Sequence, residues 1–334
     1  MKISAKFLIA PILAVLFAGC SSHPPADSPD SEQTGALSAE YKNGKKYAIV
    51  FPIAHPFFES ISTDAQNYGE ENGWDIIIKA PDSANAQLQV EIMEELIFMG
   101  VDGIAIGPTD PHELVGSINK ALDTGIKVIC FETDAPGSNR MGYVGTNNYN
   151  AGRHMGYVVG KALGGKGRIL ILTGLSTQMS LNERIRGIKE YLAQNYPDIQ
   201  ILDTQSSEGD AQKAIAVTKN MIRTHPNFDA IVGIDATAGP AAVSVWKAKG
   251  WHGRPDKKII TFDDMPENLQ GMRDGYIKTI VSQRQNSWGQ GVLILLNSLV
   301  EGRAIPDYTD TGSIEITMSN IDWYFNQPSW VEPR

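Results

Sequence analysis

From Tyr47 onward the chain repeats one unit: a short apolar run rich in β-branched residues, a turn, then an amphipathic stretch. Tyr47 to Phe51, Asp75 to Lys79, Gly103 to Gly107 and Lys127 to Phe131 read as the first four strands. Between them Phe57, Phe58, Ile61, Ala65 and Tyr68, then Leu88, Ile92, Leu96 and Met99, then Leu114, Ile118 and Leu122 keep the helical period. Strands that are apolar throughout, alternating with such helices, imply parallel pairing through right-handed crossovers, with both sheet faces covered. The expected fold class is therefore α/β.

After Met141 the pattern restarts. A helix is expected over Asn150 to Leu163, with strands at Arg168 to Thr173, Ile201 to Asp203, Phe228 to Gly233, Lys258 to Phe262 and Ile277 to Gln283. Helices fall around Ile185 to Leu192, Ala211 to Ile222, Ala241 to Lys249 and Trp288 to Val300. Each half holds enough strands for one doubly wound sheet of ordinary width, so two similar lobes are expected. The 334 residues, 42% of them hydrophobic, suffice for two cores.

The first residues differ from the rest. Lys2 and Lys6 precede an apolar run from Phe7 to Ala18, short for a bilayer span and suited to an export signal, with an uncleaved anchor helix as the alternative. Ser21 to Lys46 is rich in Ser, Pro, Asp, Glu and Gly and reads as a flexible tether. Of the two cysteines, Cys130 lies in the apolar stretch Ile126 to Phe131 and reads as a core residue. The net charge of −9 argues against a nucleic-acid partner, which needs a basic surface.

Ligands of open α/β sheets sit beyond the carboxyl ends of the strands. The polar residues there are His55, Phe57 and Phe58 with Pro56 after the first strand, and Glu132, Thr133 and Asp134 after the fourth. The second half adds Asn182, Glu183 and Arg184, and the strand ends Asp235, Asp263 and Gln283. Carboxylates and amides exchange hydrogen bonds with vicinal hydroxyls, and aromatic faces cover the C–H side of a ring. The set suits a small neutral sugar or polyol and disfavours a free phosphate or carboxylate. Bland roles compete: Arg184 can pair with Glu183 or Asp210, Asp263 or Asp264 can cap the helix near Pro266, and His55 can be a solvated loop histidine. One of Phe57 and Phe58 is expected to stack on ligand while the other packs. Asp110 reads as the cap of the helix opened by Pro111 and is left out of the site.

Catalytic patterns are missing from the sequence. No G-x-G-x-x-G follows the first strand, Gly164 to Arg168 lacks the spacing of a phosphate loop, and Gly174 to Gln178 lacks the closing glycine of a nucleophile elbow. The six histidines are scattered without metal-site spacing. No cofactor, no metal and no enzymatic activity are expected.

The motifs HPFF (His55 to Phe58), GPTD (Gly107 to Asp110), FETDAP (Phe131 to Pro136), YVGTNNYNAG (Tyr143 to Gly152), NERIRG (Asn182 to Gly187), TFDDMPE (Thr261 to Glu267) and TIVSQ (Thr279 to Gln283) resemble, in order and spacing, the ribose-type (type I) periplasmic sugar-binding proteins of ABC transporters. That family is related to the ligand-binding core of lactose-repressor-like regulators. The resemblance runs from Tyr47 to about Asn320. It implies two Rossmann-like lobes joined by a three-segment hinge near Thr146–Asn147, Gln283–Arg284 and Thr311–Gly312, closing on ligand for delivery to a membrane permease. The implied lobes are 47–146 plus 284–311 and 147–283 plus 312–334, carried by a monomer.

It also implies ligand contacts at His55, Phe57, Phe58, Glu132, Asn182, Asp235, Asp263 and Gln283, with Arg184 beside a contact position and Asp134 in an acidic variant of its motif. Ribose binders typically have Asn at the position of His55, Asp-Arg at Glu132-Thr133, Arg at Asn182, Asn at Asp235 and an aromatic near Gly209, so ribose itself is not expected. FETDAP with DATAGPAA (Asp235 to Ala242) is similar to rhamnose and furanosyl-autoinducer binders, which keeps a sensor presenting ligand to a membrane receptor as the alternative role. Ala18 and Gly19 before Cys20 resemble the lipobox of bacterial lipoproteins, with Phe17 where leucine is usual. That implies a signal peptide over 1–20, a lipid attached to Cys20, a tether over 21–46, and anchoring in the bacterial cell envelope.

Overall fold

The computed structural model describes residues 44–324. The expected export signal, Cys20 and nearly all of the expected tether lie outside the described residues. In chain order the body runs β1 (Lys46–Val50), α1 (Glu59–Asn72), β2 (Asp75–Lys79), α2 (Ala86–Met99), β3 (Gly103–Ile106), α3 (Val115–Asp123), β4 (Lys127–Phe131) and β5 (Tyr143–Gly145). It continues with α4 (Asn148–Leu163), β6 (Lys166–Thr173), α5 (Met179–Asn195), β7 (Asp198–Ser206), α6 (Ala211–Thr224), β8 (Ala230–Gly233), α7 (Ala238–Lys249), β9 (Lys258–Phe262), α8 (Pro266–Arg273) and β10 (Ile277–Ser282). The last elements are α9 (Trp288–Val300), β11 (Tyr308–Asp310), β12 (Ile314–Ile316) and α10 (Ile321–Tyr324).

These strands build two six-stranded sheets, ordered β11-β5-β4-β3-β1-β2 and β12-β10-β9-β8-β6-β7. Both share the doubly wound order 2-1-3-4-5, which reverses direction between β1 and β3 in one lobe and between β6 and β8 in the other. Each reversal leaves a crevice at the carboxyl ends of the strands. The chain passes between lobes three times, after β5, after β10 and after β11. Among the described residues all strand pairs are parallel except β10 with β12. That strand departs from the all-parallel expectation because it follows β11 directly from the other lobe, with no crossover helix to carry the chain back to the opposite end of the sheet.

Each sheet buries both faces. In the first lobe Ile49, Phe51, Ile129 and Phe131 meet α1 and α9, while Ala48, Val50, Ile104 and Val128 meet α2 and α3. Cys130 is fully buried in this second layer as a free thiol, and burial pushes its pKa up, which suits a core residue. In the second lobe α4 and α5 cover one face of the sheet, and α6, α7 and α8 cover the other. Helix ends follow their sequence signals: Asn85 accepts from Gln87 N–H at 2.8 Å and Gly100 closes α2 at φ 64°, while Asp210 caps α6 through Lys213 N–H at 2.6 Å.

Two contacts position the cleft. A methyl group at Gly152 of α4 would lie 2.1 Å from the Arg184 carbonyl, and one at Gly187 of α5 would lie 2.2 Å from the Tyr149 carbonyl. The two helices therefore touch backbone to backbone, which fixes the height of α5 over its sheet. The fully buried Gln89 donates to the carbonyls of Phe51 (3.1 Å) and Gly107 (2.7 Å) and accepts from Thr109 N–H (2.8 Å) and hydroxyl (2.9 Å). All its capacity toward the loops after β1 and β3 is used, so those two cleft walls are held together.

Candidate functional site

Between the carboxyl ends of the two sheets lies a cleft that, with the solvent space at its mouth, encloses about 510 Å³. Its lining includes His55, Phe57, Phe58, Glu132, Arg184, Asp235, Asp263 and Gln283, so eight of the ten residues expected at a ligand converge there.

The aromatic wall forms on the turn after β1. His55 Nδ1 accepts from Phe57 N–H at 3.1 Å and caps the one-turn helix Pro56–Phe58. Burial lowers the His55 pKa, and in the neutral ring an accepting Nδ1 leaves the proton on Nε2 as a donor. Phe58 stacks on Phe51 at 4.5 Å between ring centroids, and Phe57 meets Phe58 edge-on at 5.1 Å and Trp288 at 6.3 Å. Both rings line the cleft, with their backs on core aromatics.

The polar wall is a buried network. Arg184, 1% exposed, donates from Nε to Asn148 Oδ1 (2.9 Å), from Nη1 to the Ile234 carbonyl (3.0 Å) and from Nη2 to Gln283 Oε1, and its guanidinium lies 4.5 Å from the Phe262 ring centre. Gln283 Nε2 donates onward to Asp263 Oδ1 at 2.6 Å. Arg184 thus pairs with neither Glu183 nor Asp210. Neither aspartate caps α8: Met265 holds the cap position, and Asp264 accepts from Gln285, Ser282 and Tyr324.

Glu132 reaches across the cleft from the first lobe and accepts from Gln178 Nε2 (2.8 Å) and Ser180 Oγ (3.3 Å) of the second. Thr177 Oγ1 makes a parallel bridge to the Thr109 carbonyl at 3.0 Å, so the lobes are joined at the cleft mouth as well as at the crossings. Burial raises Glu132 and Asp263 to about 7, and the nearby Arg184 charge only partly offsets it. Asp235 is raised by the same cause. Glu132 and Asp263 also sit at φ 64° and 70°, left-handed backbone that a non-glycine residue occupies only where surrounding structure holds it.

Two expected ligand residues are corrected. Asp134 is engaged by Arg140, with Nε to Oδ1 at 2.6 Å and Nη2 to Oδ2 at 2.8 Å, a bidentate pair that pins its own loop away from the cleft. Asn182 is exposed and donates to the Ser176 carbonyl at 3.0 Å. It stands two residues from Arg184, about 200° around the helix at 3.6 residues per turn, so the two cannot face the same way. Leu181, at helical spacing from Arg184, lines the cleft instead.

Sequence reasoning missed Gln178, Thr237 and Leu175. Gln178 and Leu175 follow β6, and the strand-end rule that points to His55 applies to them equally. Gly209, at φ 75°, leaves open space where ribose binders carry an aromatic: a methyl group there would meet only Ile53 Cδ1, at 4.0 Å. Among the described residues no group of three or more His, Cys, Asp or Glu could hold a metal ion, and no helix is long and apolar enough to cross a membrane.

Two lobes of identical strand order, facing each other across a ring-lined and hydrogen-bonding cleft, define a solute-trapping protein. Residues 47–304 match the family described as periplasmic binding protein domain, and the chain belongs to that family. The family consists of extracytoplasmic solute-binding proteins, not enzymes. The chain is 26% identical to the D-ribose/D-allose-binding protein of Pseudomonas aeruginosa, over 84% of this chain and 87% of that one. It is 25% identical to the xylitol-binding protein of Mycolicibacterium smegmatis, over 76% and 72%. A solute-binding protein of Burkholderia graminis solved with D-arabinose is 34% identical, with a TM-score of 0.78 over 83% of this chain and 96% of that one.

Proposed function

We propose that the protein captures a neutral monosaccharide or polyol between its lobes and delivers it to an ABC importer. The observation that carries this reading is the cleft itself. Hydroxyl-binding carboxylates and amides from both lobes face two phenylalanine rings, and Glu132 is bridged across the lobes. The relatives that bind ribose or allose, arabinose and xylitol support the same ligand class. Lobe closure around the three crossings is the state a permease would read.

Thermal unfolding with D-ribose, D-allose, D-arabinose, D-xylose, L-rhamnose and xylitol tests it, because a ligand bound only by the native state raises stability. A saturable rise with at least one is expected, and no rise with any would overturn the assignment. With the active ligand, Asp263→Ala should lose about 1.5–3 kcal/mol of binding, the worth of a charge-assisted hydrogen bond, while the protein remains folded. Unchanged affinity would remove Asp263 from the site.

Export and anchoring through Cys20 belong to the same proposal and rest on the sequence of residues 1–20. Cys20→Ala should move the protein from the membrane fraction to the soluble one. Retention in the membrane would assign the apolar run itself as the anchor.

A further inference from the structure

Arg184 is held without being neutralised. Its three acceptors are the Asn148 amide, the Ile234 carbonyl and the Gln283 amide, none of them charged. Its positive charge therefore stays directed at the cleft, where it lowers the pKa of Glu132, Asp235 and Asp263 against the rise that burial causes. Ile234 and Gln283 follow β8 and β10 of the sheet beneath. Asn148 stands at the first crossing instead, buried and outside the cleft lining.

The Asn148 amide faces both lobes. Its Oδ1 accepts from Arg184 Nε at 2.9 Å, while its Nδ2 lies 3.4 Å from both the Glu132 carbonyl and the Tyr143 hydroxyl. The partners set that orientation, because a guanidinium only donates and a carbonyl only accepts. The buried Tyr143 hydroxyl also donates to the Glu132 carbonyl, at 3.0 Å, so the left-handed backbone of Glu132 (φ 64°) is held from the first crossing. The place of the amide is itself fixed. Asn147 caps α4 through Asn150 N–H at 3.0 Å, and its own N–H donates to Asp310 Oδ1 of β11 at 2.8 Å. Asn148 lies one turn before Gly152, on the face where α4 touches the Arg184 backbone.

We propose that Asn148 is a positioning residue for ligand binding: one amide at the crossing aims Arg184 of the second lobe and Glu132 of the first, and leaves the guanidinium its charge. A leucine of similar size would hold neither group. An aspartate would keep a partner on Arg184 but would pair its charge, and would turn an oxygen toward the Glu132 carbonyl where the amide turns a donor. The proposal rests on the reading of the cleft as a sugar site.

Calorimetry on the full chain, with a sugar or polyol of the thermal panel that stabilises the wild type, tests it through two variants. Asn148→Leu and Asn148→Asp should each bind about tenfold weaker, the effect of losing one hydrogen bond to a charged group, with a full complement of sites. That separates aim from scaffolding. A purely structural role lowers the fraction of chains able to bind and leaves the dissociation constant of the remainder unchanged. Wild-type affinity in Asn148→Leu, or a loss confined to the number of sites, would overturn the proposal and leave the sugar reading standing. Wild-type affinity in Asn148→Asp would overturn it as well, since any acceptor would then suffice. Should Asn148→Leu not fold, Asn148→Asp, in which Arg184 keeps a buried partner, decides alone by the same two outcomes. No binding of any panel compound by the wild type would overturn both readings.

Discussion

Arg184→Met should cost about 3–5 kcal/mol of stability, seen as a lower urea midpoint, because removing one partner from a buried charge cluster strands the others. Its guanidinium is the one cation facing Glu132, Asp235 and Asp263, and its bonds tie α4, the end of β8 and the second crossing into one block. Arg184→Lys should not rescue the loss. A single ammonium cannot reproduce a planar fork that reaches Asn148, Ile234 and Gln283 together.

The pH dependence distinguishes charge from packing. Glu132 and Asp263, raised from ordinary carboxylate values to about 7, hold protons that the unfolded chain has already released above about pH 4.5. The stability they contribute is therefore full below about pH 4, and is lost as pH rises toward 7. Without Arg184 the two rise further, so the gap between wild type and Arg184→Met should be wide at pH 8 and narrow at pH 5. Equal gaps at both would mean that Arg184 acts through packing alone.

Trp288→Ala should be comparably damaging, about 3–5 kcal/mol for deletion of a fully buried tryptophan. Trp288 opens α9 immediately after the second crossing, and its indole N–H donates to Thr311 Oγ1 of the third at 3.1 Å. Its ring edge also backs Phe57. The cavity would loosen two crossings and remove the support of the aromatic wall, so ligand affinity should fall with stability. Trp288→Phe keeps most of the ring and loses the N–H, and should cost about 1 kcal/mol, the worth of one hydrogen bond. Urea unfolding and calorimetry on both variants check this; full affinity in Trp288→Ala would free Phe57 from any dependence on it.

The repeating strands and helices were readable because strands covered on both faces leave apolar runs with little else in them. Asp75 to Lys79, Lys127 to Phe131 and Lys258 to Phe262 match their strands to the residue, and Trp288 to Val300 matches its helix. The three-residue strands at Tyr143–Gly145, Tyr308–Asp310 and Ile314–Ile316 were not readable, since a stretch that short carries no period and owes its pairing to the neighbouring strand. Asp198–Ser206 was cut to its apolar centre because it is an edge strand with polar residues along its length.

In the cleft, position at a strand end located His55, Glu132, Asp235, Asp263 and Gln283. Which way a side chain turns was harder to read. Asp134 was lost to Arg140, six residues on, and Asn182 to the helical phase of Arg184, neither visible until the loop and the start of α5 are known.

The route of the chain between lobes also sets an order of assembly. Residues 148–282 carry five strands of the second sheet and the helices that cover them, so that lobe can bury most of its core from one continuous segment. The first lobe cannot. Ile49, Phe51 and Phe131 pack on Trp288, Val292, Leu293 and Leu296, separated from them by more than 150 residues of chain, and its β11 arrives later still. Contacts that close such long loops form slowly. The amino-terminal half therefore leaves the ribosome first and finishes folding last, with one face of its sheet covered only by α1 until α9 arrives.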